Sequence, residues 1–553
     1  MKRYKFLSAA LLGAVLTMGT VTSCSDSGYL DINYNPNYPS TASYKQLLPA
    51  AEGSIVAVSG LYQQITGDFW CQYVTQGNST NQYNTLANYA VTTSGSIPPV
   101  TTVWQNTYAN SLEDLKLALA SAEESKAWNY WMVAKILQAY NFLVLTDTYG
   151  DIPFTGALDI ENNPHAAFDD SKTVVYPGIL EMLDAAIAKL DDAKAAEKAS
   201  PLGVVDCFLG GSMDSWAGFA KSLKLKMYLK DFDAHKSDIQ ALLSAGGLLE
   251  QDCAWVNWED GTNKGNPLYE FNIRQLNTTE NIRACHTFLE YLLDKKDPRI
   301  IKLYEVTANA KKTLGYSSDE ELIAHMDECY EGLPCGTKPN TDETTEGGIA
   351  ISKSSRMKQA YNDAVYLMNE AECELMIAEA YARLGNAEKA EEYYNKGVLA
   401  GFSRWGFDGT AFVDGAYKFD KADMLHSIAM QYWVTYAGAN AYDGCRFMGD
   451  FGYRTGCRRR YVLDRSIRAI RCGKIFAVTS ANFPKTNSSR QCLQTSRSKR
   501  KTTPPFLPKT RPRRRTFLRP YGRILPNGTP SNCRNSAARL FFTDLRERVR
   551  ARP

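Results

Sequence analysis

Trp70, Tyr73 and Tyr83 stand in FWCQYVTQGNSTNQYNTLANYA (69–90), with Asn78 and Asn81 and the amides Gln72, Gln76 and Gln82 between them. No charged residue occurs from Phe69 to Leu112. Aromatic rings stack on the C–H faces of a sugar and amides bond its hydroxyl edges. A site needs only a few such polar groups, well placed. This set of side chains therefore matches a neutral oligosaccharide. The same rings also serve to pack the first helices, and for each of them that alternative stays open. Trp258 and Tyr269 flank a second polar stretch, NWEDGTNKGNPLYEFNIRQLNTTEN (257–281), and Trp405 follows a helical repeat. They are further candidates for ligand contact.

Other chemistries find little support. The five histidines (165, 235, 286, 325 and 426) form no HExxH and no close pair, and no GxGxxG, Walker A, GxSxG or EF-hand pattern occurs. The acidic residues lie mostly on amphipathic helices, where a solvated face explains them, and no two stand out as a hydrolytic pair. No enzymatic activity, cofactor or metal is expected. Thirteen cysteines are scattered without a CxxC. Cys329 and Cys335 are near enough in sequence to pair in an oxidising compartment, although sequence alone does not assign partners.

The elements that must position these residues are helical. NYWMVAKILQAYNFLVL places Val133, Ile136, Leu137, Tyr140, Leu143 and Val144 on one apolar face. YPGILEMLDAAIAKLDDAKAA and DSWAGFAKSLKLKMYLKDF repeat the pattern. In LMNEAECELMIAEAYARLGNAEKAEEYYNKGVLAG, Ala371, Leu375, Ala378 and Ala382 share a face, Gly385-Asn386 breaks the helix, and Ala387, Ala390 and Tyr394 begin the next. Two helices crossing at small residues resemble a tetratricopeptide repeat. One repeat cannot bury its own face, so it must stack on neighbours. Long polar stretches at 257–281 and 331–355 interrupt the helices, and loops of that length inside a compact body are functional or disordered.

The N-terminus carries Lys2, Arg3 and Lys5 before an apolar run, Phe6–Val21. This reads as an export signal, too short for a membrane span. VTSC (21–24) resembles a relaxed lipobox, and Ser25-Asp26-Ser27 partly resembles the surface-export tag of Bacteroidetes lipoproteins. Cys24 is then the lipid attachment residue, and the lipid anchors the chain without spanning the membrane.

Several short stretches resemble, in order, the SusD/RagB-like nutrient-binding outer-membrane lipoproteins. They are YLDINYNPNYPS; YNFLVLTDTYGDIPFTGAL with its Tyr149-Gly150-Asp151-Ile152-Pro153 turn; WAGFAKSLKLKMYLK; KKDPRI (295–300); and LMNEAECELMIAEAYARLG. The resemblance covers about residues 24–444. It implies a mainly α fold of tetratricopeptide-like helical pairs with an irregular, loop-rich ligand face. It also implies a cell-surface, lipid-anchored protein of the outer membrane. Its partners would be an oligosaccharide, a TonB-dependent outer-membrane transporter and, through the lipid, the membrane. The alternative is a helical-repeat surface lipoprotein that binds a peptide or protein. The 149–153 turn itself reads as structural, because Gly150 permits a turn few residues tolerate and Pro153 blocks further helix.

The expected organisation is a signal peptide at 1–23, a tether at 24–45, a helical body at 46–456 and a basic tail at 457–553. The net charge of +3 conceals a split: the tail holds 26 Lys and Arg against Asp464, Asp544 and Glu547. Arginine replaces lysine there, and no acid occurs from Arg465 to Thr543. Arg clusters of this kind neutralise phosphates, but they do not fit an acidic surface lipoprotein, and no nucleic-acid partner is expected. The tail reads as translation in a wrong frame, or as a disordered extension.

Overall fold

A computed structural model describes residues 42–77, 82–88, 99–276, 281–335 and 354–444. The signal, nearly all of the tether and the tail lie outside the described residues, as does Cys24. The first described helix, Tyr44–Ala57, starts at a Ser43 capping box and packs on Glu113–Glu124. A π-helical turn, Val58–Gln63, leads into Gln64–Trp70. Gly60 is required in that turn, because a Cβ there would lie 2.6 Å from Val365 Cγ2.

Trp128–Tyr149 is the central helix, 22 residues long. The sequence pattern predicts one apolar face, yet the helix is buried almost all round, Gln138, Asn141, Thr146 and Thr148 included. Glu113–Glu124, Tyr176–Ala188 and Leu190–Ala199 pack along it, and Met213–Lys230 also touches it. Two of its buried polar side chains bond back into the helix: Asn141 Nδ2 donates to Leu137 O at 2.9 Å and Thr148 Oγ1 to Val144 O at 2.6 Å. The helix ends at Gly150, with φ 81°. Asp151 Oδ1 then accepts from Ser171 N at 2.9 Å, Ile152 bridges Asp169, and Asp169 Oδ2 accepts from Phe154 N and Thr155 N. The 149–153 turn is thus spent on backbone closure.

Glu370–Arg383 and Ala387–Ser403 form the helical hairpin that the sequence predicts. Asn369 and Asn386 cap the two N-termini through their side chains, and Gly385 turns at φ 82°. The axes approach closely because Gly397 has no side chain; a Cβ there would sit 2.8 Å from Leu375 Cγ. Met424–Tyr436 packs on both helices. The fold is mainly helical with tetratricopeptide-like pairs. Buried charges tie the pairs together: Lys226 Nζ bonds Glu372 Oε1 at 2.6 Å and also Asp443 Oδ2. In the KKDPRI segment, Asp297 and Arg299 form a buried pair beside Tyr417 and Phe402.

Strands are few among the described residues. β1 (Val74–Gln76) pairs antiparallel with β3 (Ile282–Ala284), and β2 (Cys253–Trp255) with β4 (Val365–Met368). Both ribbons join segments far apart in sequence, which is how the polar stretches come together. Among the described residues no helix is long and apolar enough to cross a membrane.

Candidate functional site

The uncharged stretch after Phe69 runs through a turn at Gln72 (φ 60°) into β1. In the β1–β3 ribbon Thr75 faces Arg283, and Gly77 N donates to Asn281 O at 2.7 Å. Arg283 within β3 also bridges Arg356, and just beyond β3 Cys285 bridges Leu333. Ala284 N donates to Ser355 O at 2.9 Å. The described ends of three stretches singled out from the sequence, 69–88, 257–281 and 331–355, therefore meet at one ribbon.

Amide side chains weld that junction. Gln76 Oε1 accepts from Tyr83 N at 2.8 Å. The Tyr83 hydroxyl donates to Asn272 Oδ1 at 2.8 Å, and Asn272 Nδ2 donates to Gln359 Oε1 at 3.1 Å. Asn281 Nδ2 donates to Gln82 Oε1. Burial pushes the Tyr83 phenol well above its ordinary range, so it stays a neutral donor. Gln76, Asn272 and Asn281 are all buried. Amides that the sequence offers as sugar-bonding groups are here bonded to the protein itself, as buried polar groups must be.

The aromatic residues divide. Trp70, Tyr73 and Tyr83 are 5 %, 2 % and 0 % exposed, so their rings belong to the core and form no open stacking platform. Tyr73 donates to Trp433 O at 2.5 Å and packs edge-on to Phe288, while Trp433 Nε1 donates to Cys71 O at 2.9 Å. For these three the packing alternative holds, because closing β1 against β3 draws that part of the chain inward. Asn78 and Asn81 lie outside the described residues. Trp258 and Tyr269 are half-buried. Trp405 is half-buried too, with the Arg404 guanidinium 5.6 Å from its ring.

Trp258 has a neighbour that the sequence reading missed. Trp255, at the end of β2, stacks on it with centroids 5.6 Å apart and planes 25° apart. Val256 between them is 57 % exposed. The spacing of the two tryptophans in AWVNW was the available signal. The loop that follows is held by Glu270, whose carboxylate accepts from Asn263 N at 2.9 Å and Gly265 N at 3.1 Å. Asn266 accepts from Leu268 N and Tyr269 N and donates to Asp363 O. Tyr269 carries the Arg274 guanidinium 5.4 Å from its ring centroid, and Arg274 pairs with Asp260. The face is thus not wholly neutral. Arg274, Asp260 and the Arg356–Glu305 pair all lie on the segments that build it.

The cysteines also rearrange the sequence expectation. Among the described residues all seven are thiols. Cys329 is buried in Met326–Cys329, whereas the Cys335 thiol hydrogen-bonds Cys285. Burial alone would raise the Cys285 thiol, but hydrogen bonds with Cys335 and Thr287 hold it below its ordinary value.

Residues 36–440 match the family described as SusD-like, starch-binding associating with outer membrane. No curated protein matches the chain. Among solved structures, a chitin-binding protein superposes with a TM-score of 0.59 at 20% identity, covering 76% of this chain and 90% of that one. A SusD/RagB family protein from Bacteroides thetaiotaomicron gives 0.59 at 18%, covering 76% and 89%. A chitin-binding SusD homolog from Flavobacterium johnsoniae gives 0.58 at 18%, covering 80% and 96%. At these identities the structures share the fold.

Proposed function

The chain belongs to the SusD-like family of starch-binding, outer-membrane-associating proteins, and from that premise we propose that it captures an oligosaccharide at the cell surface. Held to the membrane by lipid on Cys24, it delivers the sugar to a TonB-dependent outer-membrane transporter and makes or breaks no bond in it. The observation that carries this reading is the pair of half-open aromatic stations on one braced loop, Trp255–Trp258 and Tyr269–Arg274. Stacking needs rings that keep an accessible surface and do not move on binding. The Glu270 and Asn266 hydrogen bonds supply that rigidity before ligand arrives, which lowers the entropy lost on association. Asn78 and Asn81 lie in sequence between Gly77, which follows β1, and Gln82, and they are proposed as partners for hydroxyl edges.

Chitin and starch oligosaccharides are the first probes, because relatives are described as binding those polymers. Calorimetric titration of the full chain is expected to show binding to one of them. Trp258→Ala is expected to weaken it about tenfold, equivalent to about 1.4 kcal/mol. Peptide binding with no response to any glycan would overturn the proposal in favour of a helical-repeat protein that binds peptides. Unchanged glycan affinity in both Trp258→Ala and Tyr269→Ala would overturn the assignment of the stations.

A further inference from the structure

His286 and Glu290 occupy successive turns of the helix His286–Lys295, with His286 Nδ1 3.7 Å from Glu290 Oε1. Glu331, from a segment forty residues further on, joins them: one ligand atom from each of the three lies within 4.8 Å of the other two. We propose that these side chains form a binding site for a divalent transition cation of the zinc class, with one imidazole nitrogen, two carboxylate oxygens and a coordination position left open to solvent.

The donor set and its spacing support this. Zinc takes His nitrogen and Glu oxygen at about 2.0–2.2 Å in tetrahedral array, which puts neighbouring ligand atoms about 3.4 Å apart. The His286–Glu290 separation is already close to that, and rotation of two glutamate side chains covers the remainder. A histidine in the set selects against the hard cations calcium and magnesium, which prefer oxygen throughout.

The backbone that brings Glu331 to the helix is fixed independently of any ion. Leu333 O accepts from His286 N at 2.8 Å, and Leu333 N donates to Ala284 O at 2.9 Å. Glu331 O accepts from Ser355 N at 2.7 Å, and Glu331 N donates to Ser355 Oγ at 3.3 Å. Between these anchors stands Gly332, where a Cβ would lie 2.6 Å from His286 Cα. Only glycine lets the segment press so closely on the helix start. Two carboxylates held side by side repel each other, and a dication turns that repulsion into attraction. His286 and Glu290 side chains are 49% and 39% exposed, so an ion reaches them without unfolding. A bound ion cross-links the 331–335 segment to the helix next to the β1–β3 ribbon.

The test uses the full chain, titrated with zinc chloride against a chromophoric chelator, beside His286→Ala and Glu290→Gln. Both changes are at half-open surface positions and are expected to leave the thermal midpoint without metal unchanged. The expected result is one fewer zinc equivalent, or at least a tenfold weaker one, in each variant. The zinc-induced rise in thermal midpoint should be lost with it. Cobalt substitution separates this site from the neighbouring Cys285, because oxygen and nitrogen ligands give no thiolate charge-transfer band. Zinc binding and stabilisation that persist unchanged in His286→Ala would overturn the proposal, as would a thiolate band that His286→Ala leaves intact.

Discussion

Replacing Arg299 with methionine tests how the Asp-Pro-Arg segment holds the helical body. Asp297 is 0 % exposed. Its carboxylate accepts from Arg299 Nε at 2.9 Å, Arg299 NH2 at 2.6 Å, Arg299 N at 3.0 Å and the Tyr417 hydroxyl at 2.6 Å. The guanidinium lies 3.9 Å from the centroid of the Phe402 ring. Burial works against the charged guanidinium, but Asp297 outweighs it and the net shift is upward. Methionine preserves most of the stem volume and removes the cation. Asp297 is then a buried charge left with two donors. Breaking a buried pair in this way costs about 3–5 kcal/mol, and the lost contact with Phe402 adds about 1–2 kcal/mol. Asp297→Asn is expected to cost a similar amount, because it leaves the guanidinium without its counter-charge. The double variant removes both charges, so its cost should fall short of the sum by about 2–3 kcal/mol. Urea unfolding followed by tryptophan fluorescence reads these differences as midpoints at constant slope. Arg299→Met costing under about 1 kcal/mol, or single effects that add within about 0.5 kcal/mol, would refute the assignment of this pair as a structural tie.

Two further predictions concern groups beneath and beside the candidate site. Asp68 is buried, with Gln64 Nε2 donating to one oxygen at 3.0 Å and its other oxygen unbonded. Burial raises its pKa from 3.8 to about 7. An acid held above its free value favours folding fully below 3.8, and that contribution is lost as pH rises to about 7, a change on the order of 4 kcal/mol. Asp68→Asn should therefore gain stability relative to the parent between pH 5 and pH 8, and a difference independent of pH would show that Asp68 is ionised throughout. Separately, oxidised glutathione should join Cys285 to Cys335 and leave Cys329 a thiol, as read from non-reduced tryptic peptide masses. A Cys329–Cys335 peptide in their place would contradict the placement of the 331–335 segment.

The helical body is legible in local sequence patterns. Apolar periodicity and the Gly385-Asn386 break located the helical hairpin that the structure places at Glu370–Arg383 and Ala387–Ser403, and local interactions suffice for that because helical contacts lie three and four residues apart. Five motifs in order were enough to recognise the family resemblance. Which aromatic faces outward was settled only by tertiary structure. Trp70, Tyr73 and Tyr83 have the composition of a sugar platform, but β1 pairs with a strand some two hundred residues away, and that pairing carries them into the core. The same closure consumes Gln76, Gln82, Asn272 and Asn281 as internal hydrogen-bond partners. Trp255 meets Trp258 only because β2 ends beside the Trp258 loop, and Glu331 reaches His286 only because Gly332 allows the approach. A residue's type records what it can bond. Burial and the partner it meets across the chain decide whether that capacity is spent inside the protein or left for a ligand.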